Sequence, residues 1–379
     1  MATASYQGDK GFNFAGIWIP SWLSYTFCLF VLSRIALTAI GLTAYSVIAH
    51  KDMANYSGIL KLWDVWDSDS YIAIAKNWYP KTTDLSHMKD YVFLPLYPLL
   101  MKLVAFAADN YLVAGLIVSN VSLFVACYYM YKLARLDSDE PAALRSIKYL
   151  LLFPTAFILS GVLTESLFLA LSLACYYYAR KGNWLASGVL GALASITRPY
   201  GIVILVPMAL EYLRSINFDI RKATISAAAM LLPPLGMALL MAYDYSMTGD
   251  FLAFIHAQTL WYFSLRVPLI ELLKRFVMLG NDGRFNAAFT VAVLLLLLAG
   301  YRKIGISQLT YGLLLIVIPL CSIASAWSMS RYALVVFPLF LILAGYAENR
   351  KVDLALTVGL ALAQGLLMAS WTTWGFYVI

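Results

Sequence analysis

An all-helical, polytopic membrane protein is the fold class this sequence predicts, and three observations carry it. Of 379 residues, 62% are hydrophobic and only 12% charged, with a mean hydropathy of +0.77. A soluble surface needs roughly twice that charge. Apolar windows long enough to cross about 30 Å of hydrocarbon recur along the whole length. Lysines and arginines gather in the short turns between those windows, as they do on the inner side of membranes. No polar, Pro/Gly/Ser-rich or low-complexity run is long enough to be a linker or a second module, so residues 1–379 read as one membrane-embedded domain. The formal net charge of +7 would suggest nucleic acid in a soluble protein. Here the cations belong to the topology, and no nucleic-acid partner is expected.

Taken in order, the polar stretch over roughly residues 1–20 is too short to fold alone. The apolar run from about Trp22 to Ala49 is far longer than a secretory signal's and is followed by no small-residue cleavage pattern, so it reads as the first retained span. Further windows lie near 111–134, 146–161, 164–180, 184–198, 200–214, 222–245, 286–301, 306–326, 331–347 and 352–372, making about eleven. The run 93–107 carries Pro95, Pro98 and Lys102, and its clean core of about 14 residues spans only about 21 Å. It is expected to be an interfacial or re-entrant helix. With the N-terminus cytoplasmic, the turns Lys132 to Lys148, Arg180-Lys181, Arg214 to Lys222, Arg302-Lys303 and Arg350-Lys351 all fall inside. A twelfth span would turn all five outward, against the positive-inside rule. Two long outer segments remain: 50–110, with interfacial helices, and 246–285. The four cysteines, Cys28, Cys127, Cys175 and Cys321, sit in apolar runs without paired spacing and are expected to be packing residues.

The same topology puts Asp64, Asp67, Asp69, Glu165, Arg198, His256, Gln258, Arg284 and Arg331 at the outer ends of spans or in outer loops. Ionisable groups at membrane depth cost at least ~2.5 kcal/mol each unless paired or facing a wet cavity, so this convergence suggests an extracytoplasmic or lumenal site. Three of the acids cluster in Trp63-Asp64-Val65-Trp66-Asp67-Ser68-Asp69. A carboxylate at a membrane surface can act as general base toward a hydroxyl, while arginine or histidine holds the phosphate of a lipid-linked donor. Asp67 is the first candidate base, ahead of Asp64 and Asp69. The plainer reading is that these acids cap the helix marked by Tyr71, Ile72, Ile74, Ala75 and Trp78. Glu165 opens an apolar run and should point into the bundle, where Arg198 or Arg331 could pair with it or bind phosphate. His256 has no second histidine nearby, so loop hydrogen bonding is its bland role. Asp67 and Asp69 could share a divalent cation, but no nitrogen or sulfur ligands support one; no metal or cofactor is expected. Among the tryptophans, Trp63, Trp66, Trp78 and Trp261 stand out as lying in the outer loops. A transporter or flippase of a lipid-linked sugar is the alternative; such proteins place sites near the midplane and show internal repeats, and no repeat is visible here.

The chain resembles the PIG-V-type mannosyltransferases, the GPI mannosyltransferase 2 family with its prokaryotic relatives, within the GT-C superfamily. The resemblance is carried by Trp66-Asp67-Ser68-Asp69-Ser70-Tyr71-Ile72-Ala73-Ile74-Ala75 and by Phe93-Leu94-Pro95-Leu96-Tyr97-Pro98, which holds one inserted Leu94. It extends through Phe153-Pro154-Thr155-Ala156-Phe157, Thr164-Glu165-Ser166-Leu167-Phe168, Ile196-Thr197-Arg198 with Gly201, and Ser328-Met329-Ser330-Arg331-Tyr332 with Phe337-Pro338. It implies a GT-C-type bundle and a polyprenyl-phosphate-hexose donor. Asp67 would deprotonate a glycolipid or glycan acceptor, with inversion at the sugar. Arg198, Arg331, His256, Glu165 and Gln258 would hold the donor, with Asp64, Asp69, Trp66 and Tyr97 in support. Mannose comes from the resemblance alone. The absence of a nucleotide-binding fingerprint favours a lipid-linked donor.

Overall fold

The computed structural model describes residues 11–14, 17–48, 50, 56–261, 264–278, 280–322 and 328–373. It opens on a feature the sequence does not predict: β1 (Gly11–Phe14) pairs antiparallel with β2 (Ile17–Pro20), Gly11 opposite Pro20. After this hairpin the named elements among the described residues are helices. Helix α1 (Ser21–Val47) is followed by α2 (Tyr56–Lys61), α3 (Ser68–Asn77), α4 (Leu96–Ala108), α5 (Tyr111–Ala134) and α6 (Glu140–Leu152). Then come α7 (Glu165–Arg180), α8 (Trp184–Ser195), α9 (Leu205–Ser215), α10 (Leu232–Thr248), α11 (Ala253–His256) and α12 (Pro268–Met278). The last are α13 (Asn281–Ala299), α14 (Ile306–Leu320), α15 (Met329–Tyr332), α16 (Pro338–Tyr346) and α17 (Arg350–Thr372).

Local chemistry starts several of these helices. The side chains of Asn110, Asp139 and Asn183 accept from the backbone N–H groups of Val113, Ala142 and Ala186, satisfying donors that a helix start leaves bare. Around α5 and α7 the interior is a continuous apolar core in which Phe157, Phe168, Tyr311, Phe337 and Phe340 are all fully buried. The outside is apolar as well: Phe106 is 96% exposed and Leu366 74%, as befits surfaces that face hydrocarbon rather than water.

The expected windows are not all full-length helices. Among the described residues, four are long and apolar enough to cross a membrane: Ser21–Val47, Tyr111–Ala134, Ile225–Thr248 (a 3-10 stretch running into α10) and Arg350–Thr372. A fifth forms if Met329–Val335 and Pro338–Tyr346, bent by 79°, count as one span. Window 146–161 breaks where α6 stops ahead of Pro154 and gives way to a 3-10 turn at Ala156–Ser160. Window 200–214 likewise starts as a 3-10 turn over Pro199–Ile204. Irregular backbone at these depths is tolerated where protein buries it or a cavity solvates it. The 13 residues of α4 span about 20 Å, short of the hydrocarbon thickness.

Candidate active site

The site is built from breaks in helices. The chain enters α3 through Trp66, a non-glycine residue in the left-handed region with φ 57, a conformation that costs roughly 1–2 kcal/mol. Aromatic packing holds it there. The Trp66 indole meets Trp371 edge-on with ring centroids 4.2 Å apart, and Trp371 Nε1 donates to the Leu62 carbonyl at 2.9 Å. Asp67 then occupies the N-cap position of α3, but its side chain makes no capping bond. Instead its Oδ2 accepts from Arg331 Nη1 at 2.7 Å.

Arg331 projects from α15, just before the bend into α16, and bridges two acids. Its Nε donates to Glu165 Oε1, the same oxygen that accepts from Arg198 Nη1 at 2.5 Å. Asp67, Arg331, Glu165 and Arg198 thus form one line of alternating charge from three distant parts of the chain. Glu165 is fully buried at the first residue of α7, as expected for a carboxylate opening an apolar run. The Arg198 guanidinium is held between the rings of Tyr200 and Tyr332, 5.1 and 5.4 Å from their centroids. Each guanidinium has five N–H donors, so the two arginines retain donors for an incoming anion. Asp67 keeps 28% of its side chain accessible, whereas Glu165 keeps 1%.

Three members of this line, Asp67, Arg331 and Arg198, form part of the wall of a cavity of about 930 Å³, with Glu165 buried behind them. Trp66, Asp67, Tyr71, Arg198 and Arg331 line its polar side, while Phe93, Phe254, Trp261, Leu265 and Ile318 make apolar walls. A charged end and an apolar body suit an amphiphile with an anionic head. Gln258 also lines the cavity.

His256, Asp64, Asp69, Arg284 and Tyr97, also singled out in the sequence, lie outside the cavity lining. His256 points to Asp250, its Nδ1 2.6 Å from Oδ2. Burial works to raise the Asp250 carboxyl, but hydrogen bonds from His256 and the Leu252 N–H outweigh it and hold the group below the usual carboxylate range. Asp64 accepts from Ser68 Oγ at 2.8 Å, and burial pushes its carboxyl above the ordinary range against that bond. Asp69 is exposed in the first turn of α3, and Arg284 is exposed on α13. Tyr97 is fully buried behind Tyr71, its hydroxyl 2.8 Å from Ser119 Oγ and 3.1 Å from the Gly115 carbonyl. Two cysteines depart from the packing expectation: Cys28 is exposed, and Cys321 is partly exposed in the cavity lining, while Cys127 and Cys175 are buried.

Sequence reasoning passed over several residues. Tyr200 and Tyr332 flank Arg198, and an aromatic two residues from an arginine is too common a pattern to signal anything. Arg34 was the more legible omission, a lone cation near the middle of the first apolar run. Its Nη1 donates to the Ala156 carbonyl at 3.2 Å and to Ser160 Oγ at 2.9 Å.

Among solved structures, the chain is similar to ArnT from Cupriavidus metallidurans bound to undecaprenyl phosphate. The two are 11% identical with a TM-score of 0.55, over 92% of this chain and 76% of that one. The fold is GT-C. Two structures of the Archaeoglobus fulgidus oligosaccharyltransferase also align. The complex with zinc and sulfate does so at 12% identity and TM-score 0.45, over 90% of this chain and 53% of that one. The form tethered to an acceptor peptide with an NVT sequon does so at 10% identity and TM-score 0.46, over 94% and 56%. No protein-family model and no curated protein matches the chain. The chain is similar to ArnT in backbone far more than in sequence.

Proposed function

We propose that the protein is an inverting glycosyltransferase that moves a hexose from a polyprenyl-phosphate donor to a hydroxyl of a glycolipid or glycan acceptor. The observation that carries this reading is that Asp67, Arg331 and Arg198, tied together through buried Glu165, line one wall of an amphiphile-sized cavity. The shared fold with a protein crystallised with undecaprenyl phosphate supports the donor class. Asp67, the accessible acid of the four, accepts the proton as the acceptor oxygen bonds to the anomeric carbon. The bond from that carbon to the phosphate oxygen breaks, and its electrons leave with the polyprenyl phosphate. Arg331 and Arg198 stabilise the charge that grows on that phosphate; loss of one such donor costs about 3 kcal/mol of activation energy. Buried Glu165 positions both arginines rather than touching substrate.

In the free protein Arg331 donates to the Asp67 carboxylate. Donor phosphate entering beside Arg331 competes for its N–H donors, which leaves the Asp67 carboxylate free to meet the acceptor hydroxyl. Gln258 offers its amide to sugar hydroxyls, and His256, fixed by Asp250, steadies the segment that carries it. The resemblance to PIG-V-type enzymes makes mannose the first hexose to test. Basic turns opposite the site support a cytoplasmic N-terminus and an extracytoplasmic or lumenal active site.

The test is incubation of the purified protein in lipid nanodiscs with radiolabelled polyprenyl-phosphate-mannose and crude membrane lipids. Wild type yields a labelled product and Asp67→Asn none. Equal labelling by both would remove Asp67 as base. No product from either, with label moved across the bilayer of reconstituted vesicles, would favour transport.

A further inference from the structure

A second recess, of about 470 Å³, lies at the end of the bundle opposite the candidate active site. Helix α7 connects the two regions, with Glu165 as its first residue and Arg180 as its last, about 23 Å apart along the axis. Four cations line the recess: Arg180, Arg214 at the end of α9, and Arg302 and Lys303 in the turn before α14. Two carboxylates, Asp137 and Glu348, line it with them.

The first acid is already engaged. Arg180 donates to both oxygens of Asp137, at 2.8 and 2.7 Å, and its Nε lies 3.6 Å from Oε2 of Glu211. Glu211 is itself fixed from below, its Oε1 accepting from Tyr176 at 2.8 Å and from Ser307. Arg180 is therefore a rigid, neutralised wall. What remains is Arg214, Arg302 and Lys303 against Glu348 alone, and among the described residues none of these three makes an ion pair.

Arg302 and Lys303 are held in place without being neutralised. The Arg302 guanidinium lies over the Tyr301 ring at 5.4 Å, and Lys303 Nζ lies over Tyr346 at 5.1 Å. The Lys303 stem runs across Gly345, where a Cβ would come within 2.9 Å of its Cδ. Helix α14 starts at the recess and turns its positive end toward it. A preference for cations on one membrane face explains basic turns. It does not explain their convergence on a recess with an excess of positive charge. Beside the recess, exposed Ile306 and Tyr346 offer apolar surface continuous with the helix exteriors, where acyl chains would lie.

We propose that this recess binds a phosphate group, borne by an anionic phospholipid headgroup or by a soluble phosphate compound. The test is native mass spectrometry of the full-length protein in detergent, titrated with short-chain phosphatidylglycerol or phosphatidylcholine, with inorganic phosphate as competitor. Wild type retains phosphatidylglycerol in preference to phosphatidylcholine. Arg302→Gln with Lys303→Gln weakens that retention about twenty-five-fold, about fivefold for each cation removed. Glu348→Gln, which deletes the one uncompensated negative charge, strengthens it, and a merely misfolded variant would not do so. Displacement by inorganic phosphate at equal concentration assigns the recess to soluble phosphate chemistry; resistance to it assigns the recess to the lipid. Equal retention of the two lipids by wild type, or no response to either substitution, overturns the proposal. Neither result bears on Asp67.

Discussion

Glu165 holds two guanidinium groups through a single oxygen in a fully buried position, and that arrangement decides what each charged residue can do. A carboxylate with no accessible surface cannot meet a substrate, so in the proposed transfer its contribution is to fix Arg198 and Arg331. Replacing it with an amide leaves two buried cations without their shared countercharge. Glu165→Gln is expected to lower stability by about 3 kcal/mol, read as a fall in the thermal unfolding midpoint, along with loss of transfer. Asp67→Asn has the opposite profile: transfer is lost while unfolding shifts little, because Asp67 is partly open and its pair with Arg331 is solvent-screened on one side. The individual residues were legible in the sequence because an acid at the head of an apolar run is expensive and needs a reason. Their partners were not, since Arg331 lies 166 residues from Glu165 and 264 from Asp67.

At the level of elements, the site exists because helices stop early. The 3-10 turn Pro199–Ile204 sets Arg198 and Tyr200 against α8, and it approaches that helix so closely that a Cβ on Gly201 would stand 2.1 Å from the Ala194 carbonyl oxygen. Backbone on one side and backbone on the other leaves nothing to give way. Gly201→Ala is expected to cost about 1–3 kcal/mol, seen in the unfolding midpoint, and to lower transfer by displacing Arg198. Hydropathy predicts where apolar segments lie, and α1, α5 and α17 match their windows closely. It does not register a break at Pro154 or a 79° bend ahead of Pro338, because the residues on both sides remain apolar. The hairpin at Gly11–Phe14 and Ile17–Pro20 escaped for another reason: its strands are four residues each and carry too little periodicity to register.

Across the whole molecule, α7 carries a buried acid at one end and a basic recess at the other, so the chain has two chemically distinct faces. Cysteines placed at exposed Asp69 and Lys181, in a background lacking Cys28 and Cys321, test that polarity in intact vesicles of known orientation. A membrane-impermeant maleimide is expected to label one of them from outside and the other only after permeabilisation; labelling of both from one side would refute the two-faced arrangement. Composition and charge patterning by themselves determined that this is a multi-pass helical membrane protein with its unusual acids and arginines at the ends of apolar segments. Those facts follow from transfer free energies, which act on each residue independently of its partners. Only the tertiary structure decided that Arg331 joins Asp67 to Glu165, that Arg198 shares the same carboxylate oxygen, and that His256 pairs with Asp250 outside the cavity. Such pairings depend on where breaks and bends direct side chains from distant segments, and one-dimensional hydropathy does not encode that direction.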